Sequence, residues 1–281
     1  MLTDRVRLHC AGVAAAARHV QIDPDAEVAS GGISGLDETL HFLEGSPADV
    51  ARYVLILDAI NFGSGWFGEL ATTTDALTQR LTAHSRAHGA PWSAAELCSL
   101  DAAAIGDALG LDPAHQLTRL YSAALNHLGL FLGDRPLLEL LGDSAEALAE
   151  RLAEDMPFFD DRGFYKRAQI TANDLQLAGV VDFKDIDRLT IFADNLVPHV
   201  LRLDGVLIYS DELAEQIDEG VELSAGGAFE RELRGCAVHA CEGLAAKLGV
   251  PARLLDNWLW NRGQHPPYSE RPAHVTRTVY Y

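Results

Sequence analysis

Three short segments of the 281-residue chain carry residue types suited to breaking a glycosidic bond. Cleaving a bond between a sugar and a nitrogen base gives the sugar oxocarbenium character. The chemistry therefore asks for a carboxylate near the anomeric carbon, a positioned water and a platform for the base. In the segment Phe164 to Ile170, reading FYKRAQI, a helix would set Lys166, Gln169 and Asn173 on one face. Only three of the 22 basic residues are lysines, namely Lys166, Lys184 and Lys247, so a compact ammonium at 166 stands out against an arginine background. A solvated helix face is the plainer alternative. Asp194, in FADNLVP, follows an apolar stretch and precedes an expected helix through Val200 to Leu207. It is placed to be an N-cap, and a cap carboxylate at a pocket mouth can also face a developing cation. In Asp58 to Trp66, Phe62 and Trp66 could stack a heterocycle while Asp58 and Asn61 bond its edge. The adjacent glycines would let a flat base approach the backbone. Aromatic residues at a helix end are also ordinary core.

Other catalytic patterns do not hold. Gly63 to Gly68 matches GxGxxG in letters, but a dinucleotide fold needs a strand before it and a second parallel strand after it. Here Ser46 and Pro47 cap a helix leading into the glycines, and Thr72 to His88 reads as a polar helix ending before Ala90-Pro91. HExxH, Walker and GxSxG motifs are missing from the sequence. His84 and His88 stand at a chelating spacing without an acidic or thiol partner nearby, and read as a solvated face.

The elements that must hold these segments are helices. Leu117, Leu120, Tyr121, Ala124 and Leu128 form a buried stripe within Asp112 to Leu132. The Pro47 helix should run through Val54, Leu57 and Ile60 to a stop at Gly63. Another helix should span Ala228 to Leu248, ended by Gly249 and Pro251. Period-two alternation is confined to His274 to Tyr281. With no internal repeat or linker, the expectation is one mainly α-helical domain over residues 1–281.

A net charge of -19, with Lys166-Arg167 as the longest basic run, argues against duplex DNA or intact tRNA as a ligand. Cys10, Cys98, Cys236 and Cys241 show no metal or disulfide spacing. No secretory pattern or membrane-length apolar run is present, so a reduced, cytoplasmic protein without membrane contact is expected. The sequence does not specify an oligomeric state.

From Val20 onward, the order DAINFGSGWF, FYKRAQI, FKDI, FADN with its proline, ELRGC, DNWLW and RTVYY resembles the queuosine salvage family. That resemblance implies hydrolysis of queuosine 5′-phosphate to release queuine, without a metal or organic cofactor. It also implies a fold similar to the helix-hairpin-helix DNA glycosylases, which place a lysine and an aspartate near the sugar. Asp194 matches the family's catalytic aspartate, to stabilise the cation and orient or deprotonate water. Lys166, with Arg167, would hold the 5′-phosphate or ribose, and Asn61, Phe62 and Trp66 the deazaguanine. Asp58, Arg234 and Tyr281 match family positions without an assigned role, and Glu232 and Arg234 could equally form helix-surface ion pairs. The segment NFGSGWF departs from the family's NFCFW by an insertion where the base should stack. The hairpin glycines of DNA glycosylases are missing between Phe183 and Asp194. A non-catalytic nucleotide-binding module and a DNA-lesion glycosylase are the competing readings.

Overall fold

The Pro47–Ala59 helix begins as its sequence demands. The Ser46 hydroxyl accepts the Asp49 amide and the Asp49 carboxylate accepts the Ser46 amide, each at 3.2 Å, with Pro47 at the first helical position. It stops at Ala59 rather than at Gly63. The guanidinium of Arg167 takes its last carbonyls, Asp58 O at 3.1 Å and Ala59 O at 2.7 Å, and so caps the helix early. The computed structural model describes residues 1–28, 31–32 and 35–281, which include every candidate site residue.

The architecture is mainly α-helical. Gln116–Leu132 buries Leu117, Tyr121, Ala124 and Leu128, with Leu120 half-buried. The helix starts four residues after Asp112 because Asp112 accepts the Ala114 amide in a local turn instead. Ala228–Leu248 has the expected bounds, and Gly249 ends it in the left-handed region. It packs on the N-terminal helix Leu2–Ala16, closely enough that a Cβ at Gly235 would lie 2.5 Å from Val13. The Lys166–Leu177 helix lies between Pro47–Ala59 and Ala145–Asp155. Leu196–Leu203 packs on Ala252–Gly263, where Leu196 fills the space left by Gly263. One apolar cluster runs through all of these helices.

Strand content among the described residues is one small antiparallel sheet, β1 (Val20–Ile22) with β2 (Leu207–Tyr209), with Val20 opposite Tyr209. Leu207 therefore belongs to a strand, and the helix after Asp194 ends at Leu203. Residues 274–278 alternate in burial as expected but make only an isolated bridge, Val275 with Glu222. Phe183 to Asp194 consists of extended chain around a short 3-10 turn at Ile186–Arg188, in place of a glycine-bearing hairpin. His84 is packed on Trp92 with ring centroids 4.4 Å apart, so its face is half-covered rather than solvated. The described residues hold no cluster that could bind a metal and no helix long and apolar enough to cross a membrane.

The inserted glycines after Phe62 serve the fold. Gly63 has φ +97°, and a Cβ there would lie 2.5 Å from Leu117. At Gly65 a Cβ would lie 2.4 Å from the Thr276 carbonyl oxygen. The space expected for a flat base is thus filled by the protein's own Leu117 and Thr276. Gly65→Ala should cost roughly 1–3 kcal/mol through overpacking against main chain that cannot rotate away. A thermal melt indistinguishable from the parent would contradict this packing.

Candidate active site

Lys166 is the first residue of its helix, and a tight turn delivers it there. The Asp161 carbonyl accepts the amides of Phe164 (3.0 Å) and Tyr165 (2.7 Å), Gly163 has φ +95°, and Tyr165 is held at φ +51°. The Asp161 carboxylate then accepts the Lys166 amide at 3.2 Å. Such a left-handed non-glycine residue costs of order 1 kcal/mol and persists only where its surroundings over-determine it. Asp161 supplies that constraint.

Asp194 lies on the opposing wall. Its Oδ1 accepts the amides of Leu196 (2.8 Å) and Val197 (3.3 Å), the cap bonds expected at a helix start. The same carboxylate presents Oδ2 to the Lys166 ammonium at 3.9 Å. Capping and facing a cation are therefore combined in one side chain. The Lys166 side chain is 6 % exposed and that of Asp194 10 %. Among the described residues the ammonium makes no hydrogen bond, so its three donors remain available to a ligand.

Two cross-ties hold these walls together. The buried guanidinium of Arg234 bonds both oxygens of Asp161, at 3.1 and 2.5 Å, and donates through Nε to the Ala193 carbonyl at 2.8 Å. It also bonds Glu230 at 3.0 Å and lies between the rings of Phe164 and Tyr281, 4.0 and 4.5 Å from their centroids. Burial alone would lower its pKa, but Asp161 and Glu230 reverse this and hold it above its ordinary value. Gln169 is the second tie. Its amide nitrogen donates to Phe164 O (2.9 Å) and Thr190 Oγ1 (3.0 Å), and its oxygen accepts the Thr190 amide (3.0 Å).

Sequence reasoning missed two further carboxyls. Asp174 stands two turns beyond Lys166 on the same helix, and Asp256 opens the segment DNWLW. Asp256 Oδ1 accepts the Phe192 amide at 2.7 Å, two residues before Asp194. Burial pushes Asp256 up to about 8, its amide bond and Lys166 opposing the rise and Asp194 adding to it. Burial also raises Asp174 to about 6, against Asn173 and Lys166. Asp58 is completely buried, and burial followed by the charge of Asp174 drives it well above the carboxylate range. Three of the four carboxyls near the Lys166 ammonium are raised, and Asp58 and Asp256 favour their neutral forms at neutral pH. Helical spacing points from Lys166 to Asp174, but no pattern in the sequence joins Asp256 to either.

The structure brings Lys166 and Asp194 together, with Asp58 buried on the helix packed against that of Lys166, and places the other candidates differently. Arg167 faces away from Lys166: it donates to the carbonyls of Asp58, Ala59, Phe158 and Val279 (2.7 Å for the last) and is flanked by Phe62 and Phe159. Phe62 meets Tyr121 and Phe158 edge-on inside the core. Trp66 and Tyr281 are buried, and the Tyr281 carbonyl accepts the Gly63 amide at 2.9 Å. Asn61 is half-buried. Neither Glu232 nor Arg234 forms a helix-surface ion pair. Both side chains point inward, Glu232 accepting the amides of Arg18, His19 and Val20 at 3.0, 2.7 and 3.2 Å.

A helical frame that seats a buried lysine against a capped aspartate defines a class of carboxylate-bearing site suited to stabilising a sugar cation. The comparisons with known proteins narrow that class. A family model described as queuosine salvage protein matches residues 134–281. A Sphaerobacter thermophilus protein named queuosine 5′-phosphate N-glycosylase/hydrolase is 31% identical over 283 aligned positions, covering 86% of this chain and 84% of its own. Proteins of the same name from Dictyostelium discoideum and Mus musculus are 39% identical over 127 and 33% over 166 positions. These two alignments cover 42% and 50% of this chain, and 40% and 49% of theirs. The chain belongs to the queuosine salvage protein family.

The raised Asp256 carboxyl has a consequence for stability. From about pH 4 to about pH 8 the folded chain keeps a proton there that an unfolded aspartate has released, so stability falls as pH rises through that window. Asp256→Asn, which retains an acceptor for the Phe192 amide, should make the decline of melting temperature over that range shallower. An unchanged slope would show that Asp256 is ionised in the folded chain.

Proposed function

We propose that this chain hydrolyses the N-glycosidic bond of queuosine 5′-phosphate and releases queuine. The observation that carries the reading is the division of labour on Asp194, with Oδ1 locked by two amides and Oδ2 facing an ammonium that has no hydrogen-bonded partner among the described residues. As the bond from C1′ to the base nitrogen breaks, its electron pair leaves with the base and positive charge grows on the ribose. Asp194 stabilises that charge and takes a proton from the water whose oxygen bonds to C1′. Asp256, neutral and beside Asp194, supplies the proton that the departing base needs, and is reset by the proton Asp194 has gained. Lys166 holds a ribose hydroxyl or the 5′-phosphate.

In this reading Arg167, Arg234 and Tyr281 shape the site, and Phe62 and Trp66 support its wall. Asn61, half-buried, is the member of that segment assigned to the base. Residues 1–281 act as one cytoplasmic glycosylase domain on a free nucleotide, consistent with the net charge of -19, which opposes binding to duplex nucleic acid.

The test is incubation with queuosine 5′-phosphate, following queuine by mass spectrometry. Asp194→Asn retains an oxygen for the two cap amides, so it should fold, with a stability change of about 1 kcal/mol or less. Its kcat should fall by roughly a thousand-fold or more, as expected when a charge that acts on the transition state is removed. Turnover near the parent rate in that variant would refute the assignment. Saturable binding without release of base would instead identify a nucleotide-binding module.

A further inference from the structure

The turn that delivers Lys166 is touched from outside by a residue of the N-terminal helix Leu2–Ala16. The imidazole of His9 lies against Gly163, where a Cβ would stand 2.6 Å from its Cδ2 and Nε2. The same ring meets that of Phe164 edge-on, with centroids 5.4 Å apart and planes at 90°. Phe164 also carries the Arg234 guanidinium, 4.0 Å from its ring centroid, and its carbonyl accepts the Gln169 amide at 2.9 Å. The Asp161 bonds hold the amides of Phe164, Tyr165 and Lys166 and skip that of Gly163. Gly163, at φ +95°, is therefore the position of the turn with the most freedom to move, and it is the one His9 covers.

His9 is not what docks its own helix. Leu2, Val6 and Cys10 form the buried face. Arg7 pins the middle of the helix through Glu242 at 2.8 Å and the Arg188 carbonyl at 2.7 Å. His9 itself is exposed, and it lines an open groove of about 470 Å³ between Leu2–Ala16 and Ala228–Leu248. Among the described residues its ring makes no hydrogen bond or ion pair. Its contacts are with the two residues that lead into Tyr165 and Lys166.

We infer that His9 is a positioning residue for Lys166. By covering Gly163 and holding the Phe164 ring, it keeps Tyr165 in its left-handed conformation and the Lys166 ammonium at its station opposite Asp194. Without the ring, the space beside Gly163 lets the turn relax and the first residue of the helix shift with it. A displacement of about 1 Å in a group that positions substrate can cost on the order of a hundred-fold in rate. The inference rests on the role proposed above for Lys166.

His9→Ala should lower kcat/KM for queuosine 5′-phosphate by roughly ten- to a hundred-fold, with little change in melting temperature because the ring is exposed. His9→Phe restores a flat ring without the nitrogens, and should bring activity back to within about three-fold of the parent. In a Lys166→Met background His9→Ala should add no further loss, since it acts through the lysine. Equal losses in both backgrounds would give His9 a general structural role and overturn the inference. Hydrogen exchange decides the matter without turnover. The amides of Tyr165 and Lys166 should exchange about ten-fold faster in His9→Ala and at the parent rate in His9→Phe, with the Ala228–Leu248 helix unchanged in both. Unchanged exchange at the turn in His9→Ala, or acceleration throughout the chain, overturns the inference. If the parent releases no queuine, the proposed function fails, while the exchange comparison still decides whether His9 holds the turn.

Discussion

The ion pair between Arg234 and Asp161 is the contact on which the rest of the site depends. Arg234 bonds Asp161, which shapes the turn that starts the lysine helix, and also the carbonyl next to Asp194. A buried ion pair is a weak source of net stability, because both charges lose water. Its value here is geometric. The guanidinium is planar, has donors on several edges and lies between two aromatic rings, so it fixes the separation of two chain segments that share no sequence proximity. A lysine in its place would present a point charge and could not define that plane.

The second constraint is electrostatic. Gathering four carboxyls around one ammonium in a dry region would be prohibitive if all were ionised. Protonation of Asp58 and Asp256 relieves the conflict, and the three raised groups occupy three different positions: a helix seam, a helix face and the start of the DNWLW segment. Asp194 differs from these in receiving two backbone amides at a helix start. Local main-chain geometry, rather than residue type, thus sets what each carboxyl can bind.

Much of the frame was legible from spacing and caps. The Ser46-Pro47 start, the Ala228 to Leu248 helix and the stripe from Leu117 to Leu128 follow from local rules, and the structure agrees with them. Two of the misplaced ends share a cause, competition from a partner distant in sequence, while the start of the Gln116 helix is set by the local Asp112 turn. Arg167 capped the Pro47 helix before Gly63, and β1 drew Leu207 out of the helix after Asp194. The candidate site was legible in its lysine and its aspartate, though not in its geometry. Arg167, Phe62 and Trp66 have the composition of a ligand pocket, yet they face carbonyls and rings of the core. Asp256 was invisible as a partner of Asp194 because only folding brings residues 62 positions apart together. Glu232, which has the look of a surface charge, binds three successive amides of the β1 approach.

The neutral carboxyls have an effect beyond the site. Folding takes up protons at neutral pH, so the native chain is less negative than the -19 counted from its residues. Unfolding must release those protons to the solvent, and each is absorbed by buffer with that buffer's own heat of ionisation. Calorimetric unfolding enthalpies measured in phosphate and in Tris will therefore differ by an amount proportional to the number of protons released, a thermal count of how many acids the native chain keeps neutral.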